Sequence, residues 1–283
     1  MGAAHEDMRA LLDLAVEKGV RGYITLSSRV GIDLGLVGAA GQENRFTQER
    51  EELNVSSTEP VLVEILSRGF WRVVIRPARF NPTHIADFGQ LRSIVESHRV
   101  SERQRSFPYV DWTQGRSGSN WVGQDYSWST NLETWRLFQS GQFVDFSAIW
   151  TDWTERGAYS GMATGNKILP IKDTVGRLTE IFEFAARLAL SPAGSDEMVV
   201  EIELSGLNGR RLWIENPFSR VRTPTAPEDL TVFRFGTGDI RRTELVTDPS
   251  GLAVKAARQL FLRFGLDLRE DVLRDLQSDE MGR

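Results

Sequence analysis

The chain has 283 residues, of which 40% are hydrophobic and 26% charged, the size and composition of a globular protein with one large or two ordinary domains. It contains no cysteine, which excludes disulfides, thiolate metal sites and cysteine nucleophiles. Its net charge of −5 supplies no overall positive field to draw it onto nucleic acid.

The first segment, MGAAHEDMRALLDLAVEKG, reads as an amphipathic helix, with Leu11, Leu12, Ala15 and Val16 at helical spacing and Gly19 as its stop. It holds no apolar run of the length a signal peptide or membrane span needs, so a cytoplasmic location away from membranes is expected. After a short strand from Tyr23, the phrase GIDLG resembles the first strand and turn of actin-like and ribonuclease-H-like folds, where the aspartate holds a metal. Ser27, Ser28 and Arg29 interrupt the strand before it, so Asp33 reads instead as part of a glycine-rich turn. No metal or cofactor is expected.

Residues 42–60 are polar and read as a linker or an exposed helix, and VLVEIL is too short for periodicity to separate strand from helix. WRVVIRP alternates as a strand stopped by Pro77. DFGQLRSIVESHRV is a helix with Leu91, Ile94, Val95 and His98 on one face. Arg92, Arg99, Arg103 and Arg105 around its outer face and end form the one local basic cluster, a candidate nucleic-acid surface diluted by Glu96 and Glu102. Cations near a helix C-terminus account for the cluster equally well.

Six of the eight tryptophans fall between residues 112 and 153, in two settings. TWRLFQ and QFVDFSAIW flank Ser140 and Gly141 as the two strands of a hairpin, with Val144, Phe146, Ala148 and Trp150 sharing a face. DWTQGRSGSNWVGQDYSWSTN has no periodicity and reads as a polar loop. Its Trp112, Trp121, Asp125, Tyr126 and Trp128 combine flat apolar faces with directional hydrogen-bonding groups, and they form the candidate ligand- or partner-binding site.

GAYSGMATGNK reads as an interdomain connection. A helix follows, with Val175, Leu178, Ile181, Phe182, Ala185 and Leu188 as its stripe and Asp173 as N-cap. MVVEIEL and RLWIEN are expected to pair through GLNG, placing Glu201, Glu203 and Glu215 on a wet face. LTVFRF is a third strand, and DPSGLAVKAARQLFLRFG a last helix with Ala256, Leu260, Phe261 and Phe264 inward. The predicted class is α+β, with two domains of antiparallel sheet and helices packed on one face. Residues 1–160 form the first domain, with the Trp-rich hairpin and loop; 166–270 form an α-β-β-β-α domain; 271–283 form a loosely held acidic tail.

Taken in order, RVVIRPARF, the helix ending ESHRV, FPYVDW, ETWRLFQSGQFV and the helix–MVVEIEL–GLNGRRLWI run resemble the region downstream of the DNA-binding module in bacterial Schlafen-AlbA-type proteins. The resemblance spans about residues 60–265. Residues 1–60 hold no counterpart of the DNA-binding module, so what it implies is an accessory or sensing domain that works beside an effector protein.

The histidines His5, His84 and His98 are scattered, and neither a GxSxG elbow nor a phosphate-binding glycine loop with lysine is present. The expected function is therefore a non-catalytic regulatory, sensing or partner-binding protein, an accessory subunit in a bacterial defence or regulatory system, with another protein chain as partner. One alternative is single-stranded nucleic-acid or nucleotide binding through the arginine cluster and Trp112, Trp121 and Trp128. A second is a metal-dependent hydrolase or nuclease drawing on Asp111, Asp125, Glu133, Asp145 and Asp152.

Overall fold

The structure is a computed structural model that describes residues 39–56, 60–101, 106–156, 167–213 and 224–282. Its contacts divide the chain into Met1–Asn44 and Arg45–Arg283, and of the first unit only the start of one helix is described. The predicted N-terminal helix, the strand at Tyr23 and Asp33 all lie outside the described residues.

Alternation along one central strand sets the layers of the second unit. In β1 (Phe70–Pro77) the side chains of Trp71, Val73 and Ile75 enter one apolar cluster, while Phe70 and Val74 join another on the opposite face. Both faces are thus buried, as suits a strand in the middle of a sheet. The remaining strands are β2 (Gly115–Ser117), β3 (Trp121–Trp128), β4 (Asn131–Phe138), β5 (Phe143–Ala148), β6 (Ile168–Pro170), β7 (Glu197–Ser205), β8 (Arg211–Trp213), β9 (Val232–Gly236) and β10 (Ile240–Arg241). Eight of them form one antiparallel sheet in the order β10-β7-β1-β5-β4-β3-β2, with β9 pairing β7 beside β10.

Helices α1 (Ala39–Ser56) and α2 (Pro60–Leu66) serve the smaller cluster, in which Leu53, Val61, Leu62 and Ile65 meet Val74, Phe138, Val144 and Phe146. Helices α3 (Gln90–His98), α4 (Ile171–Ala189), α5 (Arg242–Thr247), α6 (Pro249–Arg263) and α7 (Glu270–Met281) belong to the larger cluster on the other face. At its centre α4 buries Val175, Leu178, Ile181, Phe182, Ala185 and Leu188, the stripe its 3.6-residue period predicts.

The class is α+β, as the sequence reads. Four details differ. Helices cover both faces of the sheet rather than one, because β1, β4 and β5 carry apolar residues on both sides. The predicted boundary at 160–166 does not separate two sheets: β1 lies between β5 and β7, so strands from both predicted domains share one ladder. Periodicity reports which faces of a strand are buried but not which strand lies beside it. MVVEIEL and RLWIEN also do not pair, since β7 neighbours β1, β9 and β10 while β8 pairs in parallel with β6. The predicted tail is instead α7, whose Leu273, Gln277 and Met281 are buried. Glu215 lies outside the described residues.

Candidate functional site

The polar loop expected to carry the site is β-structure. Residues Trp121 to Trp128 pair with β4 in the register Trp121↔Phe138 to Trp128↔Asn131. The turn at Ser140 and Gly141 closes the next hairpin, β4–β5, with Gly141 at φ +82°. Because successive residues of a strand point to opposite faces, β3 sends Val122, Gln124 and Tyr126 one way and Trp121, Gly123 and Asp125 the other. The five predicted site residues are therefore not one platform.

On the face shared with α2, Asp125 is a buried charge anchor. Arg136, 1% exposed, donates from Nη2 to both its oxygens at 2.8 and 3.1 Å, and Arg116 lies 3.3 Å away. The Thr134 hydroxyl also donates to this carboxylate. Trp121 closes over the pair, with the Arg136 guanidinium 4.5 Å from its ring centroid. Gly123 makes room beneath, where a Cβ would lie 2.2 Å from the Trp135 carbonyl oxygen and 2.4 Å from Arg136 Cδ. Such a pair holds its geometry only because both charges find partners.

On the α4 face, the Tyr109 and Tyr126 rings lie 4.2 Å apart and Trp112 meets Trp135 edge-on at 5.8 Å. The Trp135 indole donates to the Tyr109 carbonyl at 2.9 Å, and the Tyr109 amide to Glu133 at 3.3 Å. Arg92, on the exposed side of α3, sits 5.1 Å from the Trp112 ring centroid. Among the described residues it is the one member of the basic cluster brought to a predicted tryptophan. Arg99 ends α3, its carbonyl accepting from Arg187 at 2.8 Å, while Arg103 and Arg105 lie outside the described residues.

The carboxylates of the hydrolase reading are dispersed. Asp111 caps the turn at Trp112, and the Thr113 hydroxyl and then the Thr113 amide hold its carboxyl below the usual value. Asp152 binds Arg210, and Asp125 binds Arg136. Glu133 and Asp145 do adjoin, on neighbouring strands under α4, where Arg177 donates to Asp145 at 3.2 Å and to Ser147 at 2.7 Å and reaches Glu133 at 3.9 Å and Glu180 at 4.0 Å. Burial raises the Asp145 carboxyl above its ordinary value, opposed by the Arg177 charge and by hydrogen bonds from Glu133 and Ser147. Among the described residues no three His, Asp or Glu side chains gather in a way that could hold a metal ion.

Trp128 stands apart from all of these networks. It ends β3 at the tip of the β3–β4 hairpin and is 69% exposed. Beside it, β2 pairs with β3 only from Val122 to Gln124, so Asp125 to Trp128 have no strand on their outer edge among the described residues. The arginines Arg116, Arg136, Arg177 and Arg210 were missed in the sequence. For Arg136 the available signal is its place inside the otherwise apolar strand TWRLF, where a buried guanidinium needs a charge partner.

No family model, curated protein or solved structure matches the chain. Among the described residues no helix is long and apolar enough to cross a membrane.

Proposed function

We propose that this chain is a non-catalytic partner-binding protein that docks another protein through the tip and outer edge of the β3–β4 hairpin. The observation that carries the reading is Trp128, a large apolar side chain 69% exposed on a strand paired along its whole length. A tryptophan held out by a rigid element costs little ordering entropy when a partner covers it, and such residues anchor interfaces with about 2 kcal/mol or more. The charged groups behind it are engaged with one another, so the arrangement suits presentation of a surface better than proton transfer. A role as an accessory or sensing subunit beside an effector, as the Schlafen-AlbA-type resemblance implies, fits this reading.

Nucleic-acid stacking draws on Arg92 and Trp112, which do meet, but the guanidinium already occupies a face of the ring that a base would need.

The test is co-purification from the native host with wild type and Trp128→Ala. One specific chain should follow the wild type and be lost with the variant, whose melting temperature is expected to stay unchanged. Retention of the same partners by Trp128→Ala would remove the reading.

A further inference from the structure

A cavity of about 570 Å³ lies where the segments before β1, after β5 and after β7 meet the start of β6. Its floor is built from buried groups that satisfy one another. Arg210, 1% exposed, donates from Nη1 to Asp152 Oδ1 at 2.8 Å and the Ile168 carbonyl at 2.9 Å, from Nη2 to Asp152 Oδ2 at 2.6 Å, and from Nε to the Gly206 carbonyl at 3.1 Å. The Gly69 amide donates to the same carboxylate at 3.0 Å. Two glycines let this floor close: a Cβ on Gly69 would lie 2.3 Å from Arg210 Nη2, and one on Gly206, at φ +75°, would lie 2.7 Å from the Gly69 Cα.

The rim offers more donors than the protein uses. Arg68 donates through Nη1 to the Asp152 carbonyl and pairs with Glu155, which leaves Nε and Nη2 without a partner among the described residues. Lys167 meets no carboxylate there and reaches only the carbonyl and side-chain oxygens of Asn208, at 3.3 and 3.4 Å. Neither the Asn208 amide nitrogen nor the Thr154 hydroxyl donates to anything among the described residues, and both residues line the cavity.

Both carboxylates, in contrast, are engaged by the protein. Both Asp152 oxygens are taken, and Glu155 is held in its charged form by its own backbone amide and then by Arg68. Arg68, Lys167 and Arg210 set against Asp152 and Glu155 leave one net positive charge around the space. A volume of this size holds a small molecule, and surplus donors converging from separate segments suit a tetrahedral oxyanion.

We propose that this cavity binds a small phosphomonoester, its phosphate held by Arg68, Lys167, Asn208 and Thr154. The site is separate from the Trp128 edge, and neither reading depends on the other. A reporter is built in, because the Arg68 guanidinium lies 4.1 Å from the ring centroid of buried Trp153. A phosphate drawing on Arg68 changes the surroundings of that indole.

The experiment titrates the full chain with AMP and glycerol 3-phosphate, and with adenosine and glycerol as uncharged counterparts, following tryptophan fluorescence and thermal shift. Saturable binding of at least one phosphomonoester, absent for its uncharged counterpart, is expected. Lys167→Ala and Arg68→Ala should each weaken it about tenfold or more, and Lys167→Arg should largely preserve it. Glu155→Gln, which removes the carboxylate competing for Arg68, should tighten it. These side chains are partly exposed, and circular dichroism melts check that the variants fold. Absence of saturable binding below about 1 mM, the weak end of specific association, would overturn the proposal. So would binding indifferent to both alanine variants.

Discussion

At the scale of single residues, the structure turns on arginines placed against buried carboxylates, and the glycines beside them are part of the device. Gly123→Ala would drive a methyl group into the Trp135 carbonyl oxygen, 2.2 Å away, in a ladder that cannot shift without losing its pairing. A loss of about 1–3 kcal/mol is expected in a denaturant melt. Asp145 gives a pH dependence of definite sign. Burial raises its folded-state pKa, so the folded protein holds the proton more tightly than the unfolded chain does. Stability is therefore lost as pH rises from the ordinary carboxyl value of about 4 through the raised one. Asp145→Asn cannot ionise, and Arg177 keeps Glu133 and Glu180 beside it. The melting temperature of the variant relative to wild type should climb as pH rises from about 4 towards neutrality. The sequence shows Asp125, Asp145 and Asp152 as candidates for chemistry but hides their partners, because Arg136, Arg177 and Arg210 come from 11, 32 and 58 positions away.

At the scale of elements, what was legible is what one apolar period governs. The stripe of α4, the β4–β5 turn and the inward residues of β7 all follow from spacing alone. β3 escaped because its buried positions include Gln124 and Asp125, polar residues made compatible with burial by the Asp111 amide and by Arg136. α2 could not be told from a strand, since VLVEIL holds Val61, Leu62 and Ile65 inward over less than two turns. α7 looked like a tail because its buried row is thin: Leu273, Gln277 and Met281, four residues apart. Gln277 donates to the Thr179 hydroxyl at 2.8 Å and the Ser250 carbonyl at 3.1 Å, tying this helix to α4 and α6. Deleting α7 removes Leu273 and Met281 from the core, uncovers the apolar surface of α4 and α6 they pack on, and should cost about 3–6 kcal/mol. A scanning calorimetry midpoint lower by roughly 10 °C is the expected result.

At the scale of the whole molecule, the two predicted halves form one sheet, with β1 hydrogen-bonded to β5 and β7 along its length. Residues 167–283 expressed alone would lose the neighbour of β7 and are expected to melt without a cooperative transition. The functional reading rests on a surface carried by this single scaffold, where Trp128 projects from one end of the sheet. The most direct measurement replaces Trp128 with a photo-crosslinking amino acid in the native host, beside a control at Leu190, which is 64% exposed on the loop after α4. One adduct of defined mass is expected from position 128, and none shared with position 190. No adduct at 128, or the same mixture at both positions, would contradict the partner-binding reading.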